Sequence, residues 1–253
     1  MPYSIMLDAG HGGADPGAVY NGRQEKDDAL RLTLAIGEIL QNNDIDVLYT
    51  RTTDVYESPF EKAMEANQSG VDFFVSIHRN SFPVDNQVMG VESLVYDLTG
   101  IKYEMAQNIN AQLETVGFVD LGVIARPNLV VLRRTNMPAV LVEVGFINSD
   151  VDNQLFDDNF NDIAQAIAEG ILDTLNSAGV IKEEYYRVQT GLFRNPANAQ
   201  RMLNDLLSKD FPAFIDNTGP YISVQVGGYK TLNEAVEMEQ RLRRQGYDTL
   251  IVS

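Results

Sequence analysis

Asp72-Phe-Phe-Val-Ser-Ile77 is a near-continuous apolar run. A strand buried on both faces reads this way, and such strands belong to parallel sheets with helices on either side. Outward from it, the chain alternates. Strand-like segments fall at Tyr3–Leu7, Asp46–Thr50, Val91–Tyr96, Leu129–Leu132 and Ala139–Val144. Helical spacing runs through Asp27–Gln41, Pro59–Ser69, Ile101–Thr115 and Asp162–Leu175, the last with Ala164, Ile167, Ile171 and Leu175 on one side. This alternation predicts an α/β fold, a mostly parallel sheet covered by helices.

The end of the chain follows a different rule. Arg187-Val-Gln-Thr-Gly-Leu-Phe-Arg194 recurs 36 residues later as Ser223-Val-Gln-Val-Gly-Gly-Tyr-Lys230. The register then holds without a gap: Ala199 matches Ala235, Met202 matches Met238, and Leu206 matches Leu242. Each copy reads strand, turn, helix, strand. Two copies predict a small ferredoxin-like α+β domain of order βαββαβ. The expected organisation is therefore two domains, 1–178 and 185–253, with a short linker at Asn176–Glu184.

Charge supports the same division. The 253 residues carry a net charge of −17, and there is no cysteine. From Lys182 onward nine basic residues balance nine acidic ones, so ten basic and 27 acidic residues precede it. Such an excess argues against a nucleic-acid partner, which needs surplus Lys and Arg. Without cysteine there is no disulfide framework, and any metal must sit on His, Asp or Glu. No apolar run approaches the length of a membrane span. Met1 leads almost at once into a strand with no basic n-region, so the sequence as written shows no export signal.

Only two histidines exist, His11 and His78. His11 lies in Asp8-Ala-Gly-His-Gly-Gly-Ala-Asp-Pro-Gly17, just past a strand, and His78 in Ser76-Ile-His-Arg-Asn80, at the end of the buried strand. Both positions are expected at the carboxyl ends of parallel strands, where open α/β sheets form their ligand crevice. Glu25, in Gly22-Arg-Gln-Glu-Lys26, opens the first long helix. Each has an ordinary explanation: a turn-stabilising histidine, a core-edge histidine, an acid at a helix N-terminus. Together, two histidines and one carboxylate with a fourth position open make a common catalytic zinc set, and the sulfur-free donors also admit other divalent metals. Glu143 interrupts the apolar strand Ala139-Val-Leu-Val-Glu-Val-Gly-Phe146. It reads either as half of a buried ion pair or as a general base beside the metal.

These pieces, with Glu143-Val-Gly-Phe-Ile-Asn148, resemble the zinc-dependent N-acetylmuramoyl-L-alanine amidases of the bacterial amidase 3 family, over about residues 3 to 176. The resemblance implies Zn2+ bound by His11, Glu25 and His78, Glu143 as the catalytic glutamate, and Asn80 near the substrate. Ala9 departs from the proline common in the family before Gly-His. The implied substrate is peptidoglycan, cut between N-acetylmuramic acid and L-alanine. The tail resembles a SPOR domain, whose relatives bind glycan strands stripped of stem peptides. Gln189, Phe193, Gln225 and Tyr229 occupy equivalent repeat positions and are the candidate glycan contacts, with core packing as the alternative for the aromatics.

The combination is similar to sporulation amidases made in the cytoplasm of the mother cell and acting on the cell wall. Some relatives plug the zinc site with a helix. Between Phe82 and Pro138 the sequence leaves little room for one, so activity without an activator is expected. Rival readings are a carboxypeptidase-type zinc peptidase, a wall-binding protein with a dead site, and an RNA-binding tail. The neutral tail lacks the basic-aromatic signature of the last.

Overall fold

Alternating side chains explain why the Asp72–Ile77 run is nearly continuous in apolar residues. In the computed structural model, which describes residues 3–177, 186–217, 219–229 and 231–252, it forms the centre of a six-stranded sheet. Phe73, Val75 and Ile77 enter the core on one face and Phe74 the core on the other.

The first part of the chain runs β1 (Ser4–Ala9), a short hairpin of β2 (Val19–Tyr20) and β3 (Arg23–Gln24), α1 (Glu25–Gln41), β4 (Asp46–Tyr49), α2 (Pro59–Ser69) and β5 (Phe73–Asn80). It continues with β6 (Val91–Val95), α3 (Gly100–Val116), β7 (Asp120–Ala125), α4 (Val130–Arg134), β8 (Ala139–Phe146), α5 (Asp150–Asp158) and α6 (Phe160–Ser177). The strand order is β4-β1-β5-β8-β6-β7, and every pairing is parallel except β6 with β8. Helices α1, α3 and α6 cover one face, while α2 and α4 cover the other. The expected mostly parallel sheet is present.

Two segments differ from expectation. Leu129–Leu132, expected as a strand, starts the short helix α4, whose Val131 and Leu132 pack on the α2 side. A four-residue apolar run carries no period that separates strand from helix. The missing strand lies earlier, at β7, where Asp120 and Gly122 mask it and the pairing with β6 is irregular.

The chain divides into two compact units at Ile181/Lys182. The expected linker, from residue 178 onward, and Tyr185 lie outside the described residues. The second unit contains β9 (Tyr186–Phe193), α7 (Pro196–Ser208), β10 (Ala213–Asp216), β11 (Ile222–Tyr229), α8 (Leu232–Arg244) and β12 (Leu250–Val252). Its antiparallel sheet has the order β10-β11-β9-β12, the ferredoxin-like arrangement expected from the repeat.

Register breaks occur in both copies of the repeat. Val224 faces Gly191 while Gln225 faces Gln189, and Val226 faces Val188 while Tyr229 faces Tyr186. An extra residue switches the following side chains to the other face. Phe193 and Tyr229 therefore pack against the core beneath the helices, each ring lying over the glycine two residues before it. Gln189 and Gln225 stay on the face away from the helices, in a cross-strand row with exposed Phe214 and Leu250, with Gln225 itself buried among its neighbours.

The closest helix contact has a specific cause. A Cβ on Gly170 of α6 would lie 2.6 Å from Ile109 Cα of α3, closer than backbone tolerates. Alanine would favour the helix by about 1 kcal/mol, but forcing the backbones apart costs about 1–3 kcal/mol. The net cost is up to about 2 kcal/mol, so Gly170→Ala is expected to lower the melting temperature of this unit by up to roughly 8 °C, readable by calorimetry. A rise would show that α3 and α6 are less tightly joined than described.

Candidate metal centre

β1 ends at Ala9, and the chain turns through Gly10 into His11, whose φ of 58° is in the left-handed region. That conformation is costly for a residue with a Cβ and needs support from its surroundings. Two glycines make the site spatially feasible. A Cβ on Gly10 would lie 2.4 Å from the His78 ring, and one on Gly17 would lie 2.5 Å from Glu25 Oε2 and 2.6 Å from His11 Cδ2.

His78 projects from the end of β5, and Glu25 is the first residue of α1. His11 Nε2 lies 3.1 Å from Glu25 Oε2, and His78 Nδ1 lies 2.8 Å from Glu25 Oε1. One donor atom from each of the three residues falls within 4.8 Å of the others. Glu25 is further held by the backbone N–H of Ala18 on Oε2 and of Arg79 on Oε1. His11 Nδ1 is 2.8 Å from Asp15 Oδ2, which leaves Nε2 facing the cluster. A carboxylate behind a histidine is the usual way to orient a metal-binding imidazole. The donors are two nitrogens and a carboxylate without sulfur, and they fit zinc.

The electrostatics separate two glutamates. Burial pushes Glu25 up, but the hydrogen bonds and charges of His11 and His78 overcome it and hold the carboxyl well below the ordinary range. Burial likewise opposes the charge on His11, yet Glu25 and Asp15 raise it to about 9. Glu143 goes the other way. Burial, aided by the nearby charges of Glu25 and Glu92, pushes it up to about 7 against the pull of His78 and His11. Its Oε2 is buried with no hydrogen-bond partner. Glu143 sits directly opposite His78 in the β5–β8 register and opposite Glu92 in the β6–β8 register. Asn80 donates from Nδ2 to Glu92 Oε1 at 2.8 Å.

Several residues around the site carried no sequence signal. Arg79 is buried between His78 and Asn80 in the chain, donates to Asp28 and Asn153, and stacks 4.2 Å from the Phe156 ring centroid. Asp8, Arg51, Lys62 and Glu92 were likewise not singled out. A lone charged residue in an amphipathic segment looks the same whether it faces water or a buried partner. Of the residues expected at the site, His11, Glu25, His78, Glu143 and Asn80 come together here. Gln189, Phe193, Gln225 and Tyr229 belong to the second unit, where only the glutamines lie on the open face.

The family profile for N-acetylmuramoyl-L-alanine amidase matches residues 5–173, and the SPOR domain profile matches residues 182–253. A sporulation-specific N-acetylmuramoyl-L-alanine amidase of Bacillus subtilis is 36% identical over 217 residues, covering 83% of each chain. The crystal structure of an N-acetylmuramoyl-L-alanine amidase from Clostridium difficile superposes with a TM-score of 0.65 at 34% identity, covering 70% of this chain and 98% of that one. The catalytic domain of an amidase from Bacillus (Paenibacillus) polymyxa gives 0.63 at 32% identity, covering 69% and 98%. Sheet, site and relatives agree: the chain belongs to the N-acetylmuramoyl-L-alanine amidase family, whose substrate is peptidoglycan, and carries a SPOR domain behind its catalytic unit.

Proposed function

We propose that the chain is a zinc-dependent amidase of sporulation, with the ion held by His11, Glu25 and His78 and with Glu143 as general base. The observation that carries this reading is Glu143, a half-buried carboxylate with one buried, partnerless oxygen, in register with a histidine of the cluster. A bound ion would supply Lewis acidity toward the carbonyl between N-acetylmuramic acid and L-alanine. Glu143 takes a proton from the attacking water as its oxygen adds to the carbonyl carbon. It passes that proton to the alanine nitrogen as the C–N bond breaks, leaving a lactyl carboxylate and a free amine. A carboxyl raised to about 7 suits both transfers near neutral pH. Asn80 faces the substrate from the same end of the sheet.

The sporulation role draws support from the Bacillus subtilis relative, whose alignment is longer than the catalytic unit and so reaches into the tail. Synthesis in the mother cell and action on the wall are part of the same proposal. No helix of the described residues is long and apolar enough to cross a membrane. The two helices between Phe82 and Pro138 are both committed to faces of the sheet, which supports activity without an activating protein.

The open face of the tail sheet is the proposed platform for stripped glycan. Gln225 and Gln189 share hydrogen bonds with Ser223 at its centre, and exposed Phe214 and Leu250 flank them. Phe193 and Tyr229 act from the other side, by fixing the strands.

Glu143→Ala is expected to keep its metal and lose hydrolysis by about 100-fold or more, while His78→Ala loses metal. Elemental analysis and mass spectrometry of digested walls check both, and a fully active Glu143→Ala protein would remove the general base. Metal uptake should also depend on pH in a defined direction. His11 binds a proton below about 9 in the metal-free protein, and an ion must displace it. Affinity is expected to rise with pH toward 9, with proton release visible as a buffer-dependent heat of zinc binding. Paired Gln189→Ala and Gln225→Ala changes should weaken pelleting with stripped glycan while leaving turnover of small soluble muropeptides intact. Unchanged pelleting would move the platform elsewhere.

A further inference from the structure

Glu92 is a second carboxylate beside Glu143, on a strand that supplies none of the metal-cluster donors. It lies on β6, half-buried, directly opposite Glu143 across the β6–β8 pairing. Glu143 is in turn opposite His78. Partners directly opposite in a sheet point to the same face, and so do residues two apart along a strand. His78 and Asn80 of β5, Glu143 of β8 and Glu92 of β6 therefore share one face at one end of the sheet.

Sheet stability does not account for this arrangement. Like charges directly opposite one another destabilise a strand pair, and here one of the two has a buried carboxylate oxygen. A glutamine at position 92 would remove the repulsion. What the carboxylate does instead is reach across β8 to Asn80, whose Nδ2 donates to Glu92 Oε1 at 2.8 Å. The amide oxygen of Asn80 is taken by the backbone N–H of Ser81 at 2.8 Å. The backbone carbonyl of Asn80 accepts from Ile147 N at 2.7 Å, so the main chain is pinned to the end of β8 as well.

A carboxylate accepts hydrogen bonds and cannot donate one, whereas an amide can present either end. Glu92 thus forces Asn80 to turn its NH2 toward β6 and its oxygen toward Ser81. With the oxygen and one N–H committed, a single Nδ2–H remains, and the only complement to a lone donor is an acceptor.

We propose that Glu92 is a positioning residue of the active site, fixing the Asn80 amide so that its remaining N–H is presented to a carbonyl oxygen of the muramoyl-peptide beside Glu143. The inference rests on the assignment of Glu143 and the metal cluster proposed above. A donor held in place before substrate arrives costs no reorganisation during reaction, which is why its orientation is worth a destabilising charge pair.

The test uses the zinc-loaded full chain and a soluble muramoyl-peptide, with release of the alanine-terminated peptide followed by mass spectrometry. Asn80→Ala and Glu92→Ala are each expected to lower kcat by about 10- to 100-fold, the range of one hydrogen bond to a charged group. The double variant should be no slower than the slower single one, because both remove the same oriented donor. Glu92→Gln should recover part of the rate, since it accepts in one of its two orientations, and should melt no lower than wild type. Metal content should stay unchanged in all four.

A Glu92→Ala rate within about twofold of wild type, or losses that multiply in the double variant, would overturn the inference. So would a loss of kcat that tracks falling melting temperature or metal content, which would make Glu92 structural. If wild type itself releases no peptide, the amidase reading of the site falls and this inference falls with it. An active wild type beside an unaffected Glu92→Ala sinks this inference alone.

Discussion

Asp8, the penultimate residue of β1, lies almost without solvent contact, and its carboxylate receives Thr50 Oγ1, Ser76 Oγ and Lys62 Nζ at 2.6–2.7 Å. Those partners come from the residue after β4, from β5 and from α2. Burial pushes the Asp8 carboxyl up, yet Lys62 and the hydroxyl of Ser76 overcome it and hold it below the ordinary range. Lys62 also donates to the Ala9 carbonyl, and Arg51 donates to those of Ala9 and Gly10. The backbone groups left unpaired where β1 runs out are therefore satisfied by two buried cations. This anchors the turn that carries His11 in its costly left-handed conformation, and Ser76 ties the same centre to the strand that carries His78. Removing one member of such a buried pair strands the other, typically at about 3–5 kcal/mol. The metal cluster depends on this interaction without including any part of it.

A third buried cation does the same for the opposite face. Arg79 reaches from β5 to Asp28 of α1 and Asn153 of α5, while its backbone N–H holds Glu25. Both neighbours of Arg79 along β5 belong to the proposed site on the other face. Period-2 alternation lets a single strand present chemistry on one side and a structural clamp on the other. It also uses up positive charge. Arg51, Lys62 and Arg79 are three of the ten basic residues before Lys182, and all are buried. Asp8, Glu25, Asp28 and Asp152 are buried with them, so burial leaves the surface about as acidic as the composition indicates.

The fold was legible where periodicity was strong. The doubly buried β5, the long helices and the 36-residue repeat carried enough pattern to give a parallel sheet and a small antiparallel one. It failed at Leu129–Leu132 and at β7, where a short run, a glycine and an irregular pairing left no usable period. The candidate site was legible in its donors, because two histidines at strand ends leave few arrangements. Its supports were not. Asp8 with Lys62 and Asn80 with Glu92 are partners 54 and 12 residues apart, and nothing in local composition pairs them. The aromatics of the tail repeat illustrate a further limit. Alternation alone puts Phe193 on the same face as Gln189, and only the extra residue at the register break puts it on the other.

Glu25 and Glu143 show how one residue type acquires two chemistries here. Both are largely buried, and burial pushes both carboxyls up. Glu25 opens a helix, accepts two backbone N–H groups and lies between two imidazoles, so its charge is more than repaid. Its carboxyl is held well below the ordinary range, as the proposed ligand role requires. Glu143 has the same histidines nearby but no hydrogen bond on Oε2, and Glu25 and Glu92 add negative charge around it. Its carboxyl exchanges a proton near neutrality. Environments that push paired carboxyls apart are the physical basis of acid–base assignment in hydrolases. On that criterion the charge held on Glu25 suits the ligand role proposed for it, and the raised carboxyl of Glu143 suits the proposed base.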